Sequence, residues 1–209
     1  VRIVDLDQRS DEWVEWRSAG LGGSDAPVIM GASPYQTAEE LLEKKKKQLR
    51  AGKWKTKRQG GLSDGKNAAM ARGVRLEPTA RQLYTDLTGI RCRPVCVIHD
   101  DRDWQRGSLD GLSMDDKIVQ EFKAVNKYDH AVAVGGQVPP HYWPQVQHLL
   151  SVTGLDLLHY WSYSESTTFC RSERAALVVV RSDPVYLKEL VARETEFWDS
   201  VLAGGKGNG

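Results

Sequence analysis

The stretch RGSLDGLSMDDKIVQEFKAV, Arg106 to Val125, is the part of the chain whose reading decides the fold. Two runs suited to strands flank the polar pair Asp115-Asp116. Side chains alternate along a strand, so Glu121 and Lys123 project together while Phe122 points to the other face. With Asp115-Asp116 at the centre of a two-residue turn, residues whose numbers sum to 231 face each other, and Asp110 lies opposite Glu121. Their Cβ atoms are then about 5 Å apart, and like charges so placed repel. Something cationic is implied between them. Lys123 supplies one charge, and a hard, oxygen-seeking divalent ion such as Mg²⁺ is the natural second. A bare Asp-x₁₀-Glu-x-Lys pattern is more often an exposed strand face, but Ile118, Val119, Phe122, Ala124 and Val125 make this strand apolar enough to be buried. A Glu and a Lys in a buried strand need partners.

Working outward, β-like runs at Arg93–Ile98, Trp104–Leu109 and Lys117–Val125 predict a three-stranded meander, with further strands at Leu157–Tyr163 and Ala175–Arg181. Ser10 is placed to cap a helix bearing Trp13, Trp16 and Arg17, and Ser24 or Asp25 a short helix with Pro27 in its first turn. Thr37 and Glu40 form a capping box for the next helix. A long helical stretch from Lys66 to Leu87 contains Pro78, which implies two helices or one kinked helix. Another helix ends near Val134, one spans Tyr142–Val152, and the last follows Asp183-Pro184. Residues 1–9 carry no clear pattern, and no repeat is evident. The expectation is an α/β fold, a single domain over residues 1–203 with a central mixed β-sheet flanked by helices, and a flexible Gly-rich tail at 204–209.

The chain has 209 residues, 40% of them hydrophobic, and a formal charge of +1. That length supports one compact domain, and no apolar run approaches the roughly 18 residues a membrane span needs. Cys92, Cys96 and Cys170 cannot all pair within the chain, and no secretory signal opens it, so a reducing cytoplasm is the expected location. The near-zero charge conceals an asymmetry. Lys44 to Arg58 holds nine basic residues and no acidic one, leaving 20 basic against 28 acidic residues elsewhere. Such a run is either a solvated face or a phosphate-contacting stripe. Lys44, Lys45, Lys47, Lys53, Lys55, Lys57 and Arg58 are the candidate DNA contacts, with Trp54 suited to stack on a base or sugar. The other tryptophans singled out, Trp13, Trp16 and Trp198, are expected in the core. His99, His130, His141, His148 and His159 show no metal-ligand spacing, and three thiols fall short of a four-cysteine cluster. No nucleotide-hydrolysis motif is present, so no need for ATP is expected.

Four blocks in order resemble the PD-(D/E)XK nucleases, and more closely the lambda exonuclease-like, or YqaJ-like, viral recombinases. They are Trp16-Arg17 with Gly22-Gly23-Ser24-Asp25-Ala26; Arg72-Gly73 with Leu76-Glu77-Pro78; Gly107-Ser108-Leu109-Asp110-Gly111 with Glu121-Phe122-Lys123; and Tyr142, Gln145 and Gln147 with Thr153-Gly154. Leu109 stands where the superfamily pattern has proline. The resemblance implies a restriction-endonuclease-like core acting as a Mg²⁺-dependent 5′→3′ exonuclease on linear double-stranded DNA, with Mn²⁺ as a substitute ion. By that resemblance Asp110, Glu121 and the Phe122 carbonyl hold metal, and Glu77 completes a second position or holds a metal-bound water. Lys123 acts on the attacking water, Gln145 holds that water or a phosphate, and Tyr142 packs or contacts the backbone. Arg17 and Ser24, otherwise readable as a helix-end cation and an N-cap, correspond to a pocket for the 5′-phosphate. By the same resemblance a ring-shaped, trimeric homo-oligomer and a single-strand annealing partner are implied as well. A structure-specific or site-specific endonuclease on the same core, and a noncatalytic DNA-binding or assembly module, are the alternatives.

Overall fold

The computed structural model describes residues 1–50 and 64–205. In chain order its elements are β1 (Arg2–Val4), α1 (Asp11–Ser18), α2 (Ala26–Ile29), α3 (Ala38–Arg50), α4 (Asp64–Thr88), β2 (Cys92–Ile98), β3 (Arg106–Ser113), β4 (Val119–Ala124), α5 (Lys127–Val134), α6 (Trp143–Thr153), β5 (Leu157–Tyr163), β6 (Ala175–Arg181) and α7 (Pro184–Gly205). The strands form one mixed sheet in the order β1-β2-β3-β4-β5-β6, with only β4 and β5 parallel. A parallel pair needs a crossover, and here α5 and α6 make it. The expected mixed sheet flanked by helices is therefore present.

The hairpin keeps the anticipated register, Gly111 opposite Gln120 and Leu112 opposite Val119, but strand β3 runs on to Ser113 rather than stopping at Leu109. The turn is longer than two residues. Ser113 and Ile118 close it through a 2.9 Å backbone bond, Ser113 Oγ accepts from the Lys117 and Ile118 N–H groups, and Asp116 takes a left-handed φ of 57°. Between Arg93↔Leu112 and Val95↔Leu109 the β2–β3 register shifts by one, so Asp110 and Gly111 together face Pro94. Proline has no N–H for the ladder, and the extra residue makes a bulge that re-aims the Asp110 side chain. A side chain at Gly111 has no room, because a Cβ there sits 2.8 Å from Cys92 Sγ and 2.9 Å from Gln120 Oε1.

Each face of the sheet is covered. Val146, Leu149, Leu150 and Val152 of α6 pack on Val97, Leu109, Val119 and Leu158. On the opposite face Leu76, Ala80 and Tyr84 of α4 meet Phe122, Trp161 and Tyr163, the Tyr84 ring standing edge-on to Phe122 at 5.4 Å. This apolar seam runs on both sides of Pro78, and α4 is continuous through the proline rather than split. A smaller cluster of Leu21, Val28, Leu41, Trp198 and Val201 joins α2, α3 and α7. Helix α3 begins at the expected capping box: the Thr37 N–H donates to Glu40 Oε2 at 3.1 Å and the Glu40 N–H to Thr37 Oγ1 at 3.3 Å. Two expectations need correction. Residues 2–4 form an edge strand, and α7 continues through Gly205, so the tail does not begin at 204; residues 206–209 lie outside the described part. All three cysteines are free, and among the described residues no helix is long and apolar enough to cross a membrane.

Helix α6 is tied to α7 and β3 by a buried polar group. His148 Nδ1 lies 2.6 Å from Glu194 Oε1 and Nε2 lies 2.9 Å from the Arg106 carbonyl, while Gln105 Nε2 donates to Glu194 Oε2 at 3.0 Å. Both ring nitrogens face acceptors, which favours the imidazolium. Burial alone lowers the His148 pKa, but Glu194 and the Arg106 carbonyl outweigh it and hold it above its ordinary value. A raised folded-state pKa gives stability that is complete below the unfolded value of about 6.5 and is lost as pH climbs through the folded one. Thermal unfolding followed from pH 6 into the alkaline range therefore has an expected outcome. His148→Ala costs about 3 kcal/mol at pH 6, and the gap to the parent narrows as the parent loses this contribution at high pH.

Candidate active site

At the bulged end of β3, five of the anticipated residues come together. Glu121, 2% exposed, carries Gln145 Nε2 and Lys123 Nζ on the same carboxylate oxygen, each at 2.6 Å. Gln145 arrives from the first turns of α6, and Glu121 and Lys123 share the face of β4 that looks toward it, as the two-residue spacing requires. Asp110 Oδ2 accepts from the Phe122 N–H at 2.9 Å across the hairpin. Phe122 turns its ring to α4, so only its backbone serves the site. Tyr142 does not reach the carboxylates; its ring lies 5.1 Å from Lys123 Nζ, a cation–π contact that fixes the ammonium.

Charge is concentrated here. Burial first, and Glu121 second, push the Asp110 carboxyl up to about 7 against the pull of Lys123 and the Phe122 N–H. Burial alone depresses the Lys123 pKa, yet Glu121 and Asp110 outweigh it and raise it above its ordinary value. Two carboxylates against one ammonium leave an unmatched negative charge on hard oxygen donors. That donor set fits a divalent ion such as Mg²⁺, which uses one or two carboxylates and completes its shell with water or substrate phosphate. Glu77 is not in the group. Its Oε2 is held by Arg9 at 2.7 Å and its Oε1 by Arg81 at 3.0 Å, and among the described residues no three His, Cys, Asp or Glu side chains gather closely enough to hold an ion.

Two cavities meet at Asp110 and Lys123. One of about 390 Å³ opens toward Glu77, Arg72, Tyr35 and Tyr142. The other, of about 260 Å³, runs from Asp110, Glu121 and Gln145 to Arg17, Gly23 and Ser24. In it Arg17 Nη2 donates to Ser24 Oγ at 2.6 Å. Ser24 is not the cap of α2: Asp25 takes that position, and the Ser24 side chain faces the cavity instead. The Gly22–Ser24 loop lies directly on α6, where a Cβ at Gly23 would press Leu149 at 3.2 Å and Gln145 at 3.3 Å. The Trp13 and Trp16 rings are half-buried cavity walls, not core. Arg17 stacks on Trp13 at 5.1 Å, and Trp13 Nε1 donates to Ser108 Oγ at 3.0 Å.

A family model described as the YqaJ-like viral recombinase domain matches residues 12–156, which include Arg17, Ser24, Glu77, Asp110, Glu121, Lys123 and Gln145. The chain belongs to that family. A curated member-like relative, the uncharacterized protein YqaJ of Bacillus subtilis (strain 168), is 23% identical over 94% of this chain. The chain spans 57% of that relative's length. Among solved structures, the alkaline exonuclease LHK-Exo from Laribacter hongkongensis superposes with a TM-score of 0.77 at 21% identity, covering 93% of each chain. The LHK-Exo complex with dAMP gives 0.77 at 22% identity with the same coverage. At these identities the likeness establishes the shared fold.

Within this YqaJ-like domain, the structure also sorts the basic candidates. Lys44 and Lys47 are exposed on α3. Lys45 is not a surface cation: it is 5% exposed, donates to the Gly20 carbonyl at 2.6 Å and pairs with Asp25 at 3.0 Å. Asp25 Oδ2 in turn accepts from the Gly22 N–H at 3.0 Å, so Lys45 staples the loop that presents Ser24. Burial raises the Asp25 carboxyl, but Lys45 and the Gly22 N–H outweigh it and hold it below the usual carboxylate range. Lys53, Trp54, Lys55, Lys57 and Arg58 lie outside the described residues. Ser108 and Arg81 were not singled out in the sequence, although strand spacing puts Ser108 on the Asp110 face and helical spacing puts Arg81 beside Glu77. Removing one partner of a buried ion pair is costly, so Lys45→Ala is expected to lose about 3 kcal/mol of stability in a chemical-denaturation measurement, while Lys44→Ala and Lys47→Ala change it by less than about 0.5 kcal/mol.

Proposed function

We propose that this protein is a Mg²⁺-dependent exonuclease that degrades the 5′-ended strand of linear double-stranded DNA to mononucleotides. Membership of the YqaJ-like family and the alkaline exonuclease fold support a nuclease of the lambda exonuclease type. The observation that carries the finer reading is the continuity of one cavity from Arg17 and Ser24 to Asp110, Glu121 and Gln145. A guanidinium and a hydroxyl together suit a terminal phosphate, and the carboxylates line the same cavity. A strand end seated this way exposes the first linkage to the carboxylates, and cleavage there releases one nucleotide. The dAMP in the LHK-Exo complex is a mononucleotide, a molecule of that size.

In this reading Asp110 and Glu121 hold the ion, with the Phe122 carbonyl as a third donor. An ion bound by these residues would supply Lewis acidity for an in-line displacement at phosphorus. Lys123, pinned between Glu121 and the Tyr142 ring, orients the attacking water and offsets negative charge developing on the phosphoryl oxygens. Gln145 fixes the Glu121 carboxylate through one oxygen, which leaves the other for the ion. Glu77 stands at the neighbouring cavity for a second ion or its water. Mn²⁺ shares the preference for oxygen donors and substitutes for Mg²⁺. A closed trimeric ring around the duplex and a single-strand annealing protein that takes the 3′ overhang complete the reading by family resemblance.

Digestion of linear duplex bearing 5′-phosphate or 5′-hydroxyl ends, alongside a closed circle, tests it. Acid-soluble mononucleotide is expected from the linear substrate only, with a preference for the phosphorylated end and none formed after chelation. Nicking of the circle establishes an endonuclease instead, and DNA binding with no product establishes a noncatalytic module. Lys123→Ala is expected to lower kcat by about 10²-fold or more. Arg17→Ala is expected to abolish the preference for 5′-phosphate while raising KM about tenfold, the size of one charge-assisted hydrogen bond.

A further inference from the structure

Among the described residues only Arg9 and Asp116 combine a left-handed φ with a side chain, at 78° and 57°. Asp116 sits in a hairpin loop, where aspartate tolerates that conformation. Arg9 does not. Its neighbours on both sides are anchored: the Gln8 side-chain amide donates to the Leu109 carbonyl at 2.9 Å, next to Asp110, and Ser10 caps α1, accepting from the Trp13 N–H at 3.1 Å. The turn is thus imposed by its flanks, and glycine is the residue that adopts it without strain. Strain held in place from both sides is found where the side chain has a task.

The Arg9 guanidinium reaches into the groove. It lies at the junction of the two cavities, both of which it lines together with Asp110 and Lys123. It rests on Glu77 Oε2 at 2.7 Å, although Arg81 already balances that carboxylate from the other oxygen. The Arg9 side chain is 59% exposed, and an ion pair this open adds little to stability. The pair is therefore easily exchanged, and the surplus cation stands over the groove with free forked donors.

Resting on the nuclease reading above, we propose that Arg9 is a substrate-contacting residue that exchanges the Glu77 carboxylate for a backbone phosphate when a DNA strand enters the groove. The guanidinium moves from one anionic oxygen pair to another, a transfer its planar donors suit. The exchange leaves Glu77 Oε2 facing the cavity shared with Asp110. Binding of the strand and release of Glu77 are then one event.

Arg9→Gly isolates this role, because glycine relieves the left-handed backbone and the variant is expected to melt at or above the parent temperature. Binding is read by fluorescence anisotropy on a 5′-phosphorylated duplex without divalent metal, from about 50 to about 200 mM salt. Arg9→Gly is expected to bind about tenfold more weakly, with a slope of log K against log salt shallower by about one. Arg9→Lys is expected to keep the slope. In digestion assays the half-saturating Mg²⁺ concentration is expected to fall for Arg9→Gly, because Glu77 is freed of one cation. Equal affinity and slope for Arg9→Gly and the parent overturn the proposal while leaving the nuclease reading intact if the parent digests DNA. A shallower slope for Arg9→Gly beside a parent that digests nothing keeps the Arg9 contact and removes the nuclease reading. A parent that does not bind duplex at all overturns both.

Discussion

The Glu121 carboxylate is the constraint around which the rest of the structure is arranged. A charged group on an inner, largely buried strand of the sheet costs several kcal/mol unless it is paired and hydrogen-bonded. Lys123 from the same strand and Gln145 from α6 meet this demand on a single oxygen, at 2.6 Å each. For Gln145 to arrive, α6 has to lie across β4 at that level, which the parallel β4–α5–α6–β5 crossover provides. Asp110 arrives through the hairpin register, which continues from Gly111 opposite Gln120, and the β2–β3 register shift beside Pro94 falls at the same level. The apolar seams on either side of the sheet hold these two deviations in place.

A second consequence concerns the cations. Arg9 and Arg81 engage Glu77, Arg17 engages Ser24 and the Trp13 ring, and Lys123 engages Glu121 and the Tyr142 ring. Each is oriented before any ligand is present, which lowers the ordering cost that a phosphate otherwise imposes. Preorganised dipoles and charges aimed at a reacting centre are also the main source of electrostatic rate enhancement. Glu77 is the exception that shows the limit of this arrangement: its two arginines occupy both of its oxygens and keep it apart from the other two carboxylates.

The sequence is legible where periodicity speaks. The 231 register of the hairpin, the common face of Glu121 and Lys123, and the capping box of α3 all follow from short-range rules, and all are present. What escapes those rules depends on contacts distant in sequence. Strand β1 is three residues long and gains its identity only from pairing with β2. The bulge at Asp110 is set by Pro94 on another strand. Lys45 looks like one lysine among four, and only the Gly20–Asp25 loop folding over α3 makes it a buried staple. Trp13 and Trp16 sit on a helix of weak amphipathicity, where nothing local distinguishes a core ring from a cavity wall.

On the proposed nuclease reading, these long-range contacts explain how a nearly neutral protein would suit a polyanion. Total charge governs attraction at distances beyond the Debye length, about 10 Å at ordinary salt, where most of it is screened anyway. Inside a groove whose walls exclude water, individual cations matter more than the sum, and their value depends on what already holds them. Lys45 contributes to the formal count yet offers nothing to a ligand, because Asp25 and Gly20 consume it. Arg9 and Arg17 add two to the same count but are held by a half-exposed carboxylate contact and a hydroxyl, partners that a phosphate can replace. On that reading, the capacity of this surface for DNA would be set by how exchangeable the partners of its cations are, a property of the fold that no charge count contains.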